Sequence, residues 1–364
     1  LIKIKAKMKP EEKVYRDIVL LPFPKNENAV YAAYDVFKAT KPDVVLTIGD
    51  YWDFYFMQAV KAKLDFAFKW FGYFTVEQGA IPRKSAPMFR YVDKIAVPSE
   101  FGKGTLEESA GCRDVVFLPY GTDAVFGRRD DLRRPPDGKV RFVTVAQNTP
   151  RKNLPVIVQA ARILKDAGDD RATFHVHTNI SAYDPCETYS YDLPLLAERL
   201  GVSDRVSFPG KKDNVSVFSA PGPEALLAEY NRSDYYLSTA TTEGYGLPVV
   251  EAMACGLPAL ANASSSLFEL LGAPRGALGR APRGWLSRGR MDVCPPADLI
   301  RVADPGVLAE DVRRLCDGEI KKEVGAECEK YAKGRTWEGM KAGLRELFSE
   351  GSGKEVVLPI EEMT

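Results

Sequence analysis

The sequence predicts an α/β protein built from two doubly wound domains. Three observations predict it. The chain has 364 residues, too many for one ordinary hydrophobic core. Short β-rich apolar runs alternate with helical stretches through the first third, and the alternation starts afresh after a charged, proline-bearing stretch. The composition is 45% hydrophobic and 27% charged, the balance of a globular chain able to fill such cores.

In order, residues 17–21 (DIVLL), 43–48 (DVVLTI), 70–76 (WFGYFTV) and 94–97 (KIAV) read as buried parallel strands, with helical stretches near 29–40, 53–64 and 100–110 between them. An N-terminal domain is expected over residues 1–122. Residues 123–138, ending in GRRDDLRRPPDG, read as a linker, and a second domain is expected over 139–336. It opens with the strand RFVTVA (141–146), then a helix whose Leu154, Ile157, Val158, Ala161 and Leu164 fall on one face. Further strands are expected at 173–177, 205–208, 234–239 and 258–262. Residues 264–303, rich in Gly, Arg and Pro, read as long loops, with helices following at about 306–317 and 320–332. A last helix from Trp337 carries Met340, Leu344, Leu347 and Phe348 as an apolar stripe, and residues 337–364 are expected to return to the N-terminal domain.

Lys+Arg and Asp+Glu number 50 each, which argues against nucleic acid as a partner, since polyanion binders carry a basic excess. The six cysteines are scattered, without a CxxC pair, and imply unpaired thiols in a reducing, cytoplasmic setting. No apolar run approaches a transmembrane span. The aromatic, lysine-bearing stretch KAKLDFAFKWFGYF (61–74) is compatible with peripheral membrane contact, or with an ordinary helix and buried strand. Four glutamines against many charges of both signs lean toward a thermophile.

Chemistry concentrates in TTEGYGLPVVEAMACGLPALA (241–261), a strand end, a Gly-rich turn and a helix start. Gly244 and Gly246 allow close backbone approach and positive φ. The helix expected from Leu247, with Pro248 in its first turn, presents free N–H groups and a positive dipole end suited to a phosphate. Glu243 and Glu251 flank that anion site; they would repel phosphate themselves and so suit hydroxyls on either side of it, a sugar and a ribose. Against this stands the ordinary reading, that acidic residues near a helix start merely favour its dipole. In AQNTPRKN (146–153), Arg151 and Lys152 lie after the first strand of the second domain, where open α/β sheets bind ligands. Both histidines, His175 and His177, share one strand face. His177 at the strand end would line a nucleotide pocket and His175 would be core; no partner for zinc stands at ligand spacing. Neither DxD nor GxGxxG occurs, which speaks against metal-dependent phosphate chemistry and nicotinamide enzymes.

These residues resemble the retaining GT-B glycosyltransferases of family 4, and the resemblance implies that fold, two Rossmann-like doubly wound domains facing each other across a cleft. EGYGLPVVEAMACGLP is similar to that family's E-x7-E signature, with Glu243 and Glu251 as its glutamates. NTPRKN resembles the loop holding the donor diphosphate, and SFPGKKDN (207–214), with Gly210 and Lys211, the segment meeting the nucleobase. Looser likeness extends through KPDVVLTIGD, IAVPSEFGKGTLEESA, FLPYGTDAVF and TWEGMKAGLREL. Three departures stand out. The family's opening Gly-rich loop is not found, so the chain is expected to begin after it. Gln147 stands where an Arg is usual. The first domain contains no His, and Glu77 occupies roughly the place of the family's His on the sugar or acceptor side.

The resemblance implies metal-independent transfer of a hexose, with retention, from a UDP-, GDP- or ADP-linked sugar to a carbohydrate or lipid-linked acceptor hydroxyl, and no further cofactor. Glu243, Arg151 and Lys152 would carry the chemistry. Donor binding would fall to these three with Gly244, Tyr245, Gly246, Leu247, Glu251, Gly210, Lys211 and His177. A nucleotide-sugar epimerase of the same architecture and a catalytically inactive GT-B binding or scaffold subunit are the alternatives.

Overall fold

The computed structural model describes residues 29–180, 191–209, 222–294, 298–320 and 323–352. The strand expected at 17–21, and Gly210 and Lys211, lie outside the described residues.

The first half runs α1 (Ala29–Thr40), β1 (Val44–Asp50), α2 (Phe56–Lys63), β2 (Lys69–Thr75), β3 (Lys94–Val97), α3 (Glu100–Ala110) and β4 (Val116–Phe117). Its four strands form a wholly parallel sheet in the order β1-β2-β3-β4. Strand β2 is apolar on both faces because both are covered: Trp70, Phe71, Tyr73 and Phe74 are all fully buried. The aromatics of the 61–74 stretch are therefore mostly core. Lys61 leaves that core to pair with Asp93 at 2.6 Å. Helix α3 starts at Ser99, whose hydroxyl accepts from the Gly102 N–H, and ends at Gly111 in the left-handed region.

The second half runs β5 (Val140–Val145), α4 (Pro155–Asp166), β6 (Ala172–His177), α5 (Leu193–Arg199), β7 (Val206–Ser207), α6 (Pro223–Asn231), β8 (Tyr235–Ser238), α7 (Leu247–Ala254) and β9 (Ala259–Asn262). It continues through α8 (Leu267–Leu271), β10 (Gly279–Ala281), β11 (Gly284–Ser287), β12 (Arg290–Cys294), β13 (Asp298–Val302), α9 (Pro305–Cys316) and α10 (Glu323–Lys333). The sheet order is β10-β11-β9-β8-β5-β6-β7, parallel apart from β10, and β12 and β13 form a separate antiparallel pair. From β5 the chain winds outward through β6 and β7, then returns to the other side of β5 with β8. The winding direction reverses between β5 and β8, leaving a crevice beyond their carboxyl ends where α/β sheets bind ligands.

Residues 264–303 are a correction. They hold α8, the two strands β10 and β11 and the β12–β13 pair rather than long loops. Strands this short and this rich in Gly and Arg are strands because β9 offers an edge to pair with, not because of their own propensity. Helices α5 and α6 and strand β4 are likewise absent from the sequence reading, each too short to give a clear period.

Two chain crossings link the halves side by side. Thr122 N–H donates to the Arg335 carbonyl at 2.8 Å, and Thr122 and Thr336 form a parallel bridge. Gly121 lies so close to Trp337 that a Cβ there would stand 2.2 Å from its backbone nitrogen. Phe126 is already part of the second core. Helix α11 (Trp337–Ser352) then lays Met340, Leu344 and Leu347 against Tyr73, Ala96 and Leu118 of the first sheet. Among the described residues no helix is long and apolar enough to cross a membrane, and Cys112, Cys255, Cys316 and Cys328 are free thiols.

Candidate active-site cleft

The turn after β5 and the turn after β8 are tied into one unit at the crevice. The single helical turn Pro150–Lys152 is closed by Asn153, whose φ of 50° is in the left-handed region that Asn tolerates. Its carbonyls point at the end of β8: Thr239 Oγ1 donates to the Lys152 carbonyl at 2.8 Å, and the Thr241 N–H donates to that of Arg151 at 2.9 Å. Gly246, with φ of 98°, swings the chain into α7, and Pro248 sits in the first turn of that helix. A serine run beyond β9 supports the turn from behind. Ser265 Oγ accepts from the Glu243 N–H at 2.7 Å, while the Ser266 hydroxyl faces the carbonyls of Glu243 and Tyr245 at 2.9 and 3.0 Å.

The charged groups converge on this frame. Lys152 Nζ lies 2.5 Å from Glu243 Oε1. Arg151 Nη1 donates to the Thr242 carbonyl at 2.9 Å and lies 3.0 Å from Glu77 Oε2 and 3.5 Å from Glu243 Oε2. Glu77 belongs to the first half, two residues past the end of β2, so the cluster spans the cleft. Three of its side chains are only 12–14% exposed and Arg151 34%. Burial pushes the Glu77 carboxyl above its ordinary range; Arg151 opposes that shift, and the charges of Asp50 and Glu243 add to it. Glu251 stands inside α7 and accepts from the Tyr230 hydroxyl at 2.8 Å. Burial raises its carboxyl too, partly offset by that hydrogen bond.

Glu243, Arg151, Lys152 and Glu77 thus meet, with Gly244, Gly246 and Leu247 in the adjoining turn. Tyr245 does not point there. Its side chain is 3% exposed, packs edge-on to Tyr120 at 5.5 Å and donates to the Tyr120 carbonyl, so it contributes to the seam between the halves. His177 ends β6, 6% exposed. His175 is not core: its side chain is 22% exposed and meets Ser207 Oγ at 3.0 Å, because β6 lies next to the short edge strand β7. Gln147 is exposed.

Several participants were not singled out from sequence. Ser265 and Ser266 belong to an SSS run directly after a strand end, a signal available but unspecific. Thr75 touches Gly244: a Cβ on Gly244 would stand 2.0 Å from Thr75 Cγ2. Glu269 of α8 reaches across the seam and accepts from the Phe101 N–H at 3.0 Å, at the amino end of α3. Burial pushes its carboxyl up to about 7.

Residues 129–273 match the family model for glycosyl transferases group 1, and the chain carries that domain. Over 192 residues it is 25% identical to the alpha-monoglucosyldiacylglycerol synthase of Streptococcus pneumoniae, covering 50% of this chain and 40% of the relative. Over 130 residues it is 37% identical to the N-acetyl-alpha-D-glucosaminyl L-malate synthase of Bacillus anthracis, covering 36% of this chain and 26% of the relative. The chain thus spans less than half the length of these relatives. Its structure is similar to sucrose-phosphate synthase from Thermosynechococcus elongatus, with a TM-score of 0.69 at 17% identity over 93% of this chain and 82% of that one. It is also similar to Anabaena HepE bound to UDP-glucose, with a TM-score of 0.64 at 14% identity over 91% and 85% of the two chains. The fold these likenesses show is GT-B.

Proposed function

We propose, from a chain that carries a glycosyl transferases group 1 domain within a GT-B fold, that it moves a hexose from a nucleoside diphosphate sugar to an acceptor hydroxyl with retention at the anomeric carbon. The observation that carries this reading is the meeting of Arg151, Lys152 and Glu243 with the start of α7, beyond the carboxyl ends of β5 and β8. The two cations and the helix N–H groups would stabilise the leaving diphosphate as charge develops on it, the place where fixed electrostatics accelerate most. Glu243 would hold sugar hydroxyls and Glu251 the ribose. The acceptor would enter from the first half and lose its proton to the departing phosphate oxygen, so no metal and no protein nucleophile is required. The glycosidase arrangement of two carboxylates is not favoured, because Glu243 is paired with Lys152 and Glu251 with Tyr230 rather than flanking an open gap.

Support for a nucleotide-sugar partner comes from the structural likeness to a protein bound to UDP-glucose. Phe68, Trp70, Phe71, Tyr73 and Phe74 of the 61–74 stretch are buried, so these aromatics do not form a surface for peripheral membrane contact. The test is thermal stabilisation by UDP-, GDP- and ADP-sugars, followed by slow acceptor-free hydrolysis of the one that binds. Conversion of that sugar to its epimer would indicate an epimerase. Binding without any turnover would indicate an inactive binding protein.

A further inference from the structure

The guanidinium of Arg151 is paired with Glu77 at 3.0 Å, a carboxylate from the other side of the cleft. A diphosphate bound at the start of α7 competes for the same guanidinium, and phosphate takes Arg with two parallel, charge-assisted hydrogen bonds. We propose that Glu77 is a positioning residue that holds Arg151 until a nucleoside diphosphate sugar displaces it, and that Glu77 takes up a proton on release. The inference rests on the donor reading above.

Charge and burial make the proton follow the displacement. The charged groups facing Glu77 are Arg151 and Lys152 on the turn after β5, Glu243 on the turn after β8, and Asp50 at the carboxyl end of β1. Two cations therefore serve three carboxylates, and Lys152 is already 2.5 Å from Glu243. Arrival of a diphosphate adds two further negative charges and removes from Glu77 its 3.0 Å partner. A buried carboxylate without its cation, facing Asp50 and Glu243, is the group that protonates most readily. Neutral Glu77 changes from an acceptor into a donor, able to hydrogen-bond a phosphate oxygen where its charged form would repel it. The proton comes from solvent and no covalent bond is made or broken.

The sign of the pH dependence follows. The complex binds more protons than the free protein, so donor affinity falls as pH rises through the range where released Glu77 ionises. Titration calorimetry of the full chain with UDP-glucose, GDP-mannose and ADP-glucose, repeated in PIPES and in Tris at the same pH, two buffers of different ionisation enthalpy and without phosphate, measures the exchange directly. These probes carry no phosphate that titrates near neutrality. The expected result for the one that binds is uptake of a substantial fraction of one proton, on the order of 0.5. In Glu77→Gln the uptake should vanish, and affinity at pH 8 should rise several-fold because the competing carboxylate is gone. Equal heats in the two buffers for the wild-type chain would overturn the proposal, and that arm needs no variant. Uptake that persists in folded Glu77→Gln would also overturn it. If none of the three probes binds, the donor reading itself falls, a different outcome from binding without proton exchange.

Discussion

Replacing Gly244 by Ala tests whether the turn after β8 and the end of β2 form a fitted contact across the cleft. An added Cβ would stand 2.0 Å from Thr75 Cγ2, where ordinary contact begins near 3.4 Å, so about 1.4 Å of overlap must be relieved. Thr75 is stiff: it is β-branched and closes strand β2, which is fixed along its length to β1. On the other side the turn is pinned by Ser265 and Ser266. Neither partner can yield cheaply, and overpacking of this kind costs roughly 1–3 kcal/mol. Gly244→Ala should lower the unfolding free energy in urea by about that amount. Thr75→Ser removes Cγ2 and keeps the hydroxyl. The Gly244→Ala/Thr75→Ser double variant should therefore recover most of the loss, leaving a coupling energy of about 1 kcal/mol or more. Additive losses in the double-mutant cycle, or a Gly244→Ala protein as stable as wild type, would show that the halves do not meet at this point.

Three further outcomes are expected. Glu251→Ala should weaken nucleotide-sugar binding about tenfold or more, from the loss of hydrogen bonds to a charged acceptor worth roughly 1.5–3 kcal/mol; an unchanged Kd in calorimetry would remove Glu251 from the ribose. Glu269 is protonated more readily in the folded chain than its ordinary value of 4.5 allows, so its contribution to stability is complete below pH 4.5 and is lost as pH rises through about 7. Urea midpoints should therefore decline between pH 5 and pH 8 less steeply in Glu269→Gln than in wild type, and identical slopes would count against this cross-seam carboxyl. Trp337 lies against Tyr120, ring centroids 6.4 Å apart, at the paired crossings rather than beside Arg151 or Glu243. Trp337→Ala should lower the melting temperature and leave nucleotide-sugar affinity within about twofold of wild type, the loss arising from packing alone; a large loss of affinity would place it in the site.

The sequence by itself determined what depends on neighbours along the chain. Alternating strands and helices specify two α/β halves with parallel sheets; the apolar period of α4 specifies its buried face; EGYG followed by LP specifies a glycine turn opening a helix. Backbone preference and residue period act over a few residues, so they can be read in one dimension. What the tertiary structure decided lies at long separations. Arg151 and Glu77 are 74 positions apart and come from different halves; the Phe101 N–H and Glu269 are 168 apart. Tyr245 sits inside the most legible motif of the chain, yet its ring belongs to the seam because Tyr120 lies there to receive it. Strands β10 and β11 exist because β9 has a free edge, and His175 is partly exposed because β7 beside it is short. Pairings of this kind are set by which elements the folded sheets bring together, and local pattern carries no record of them.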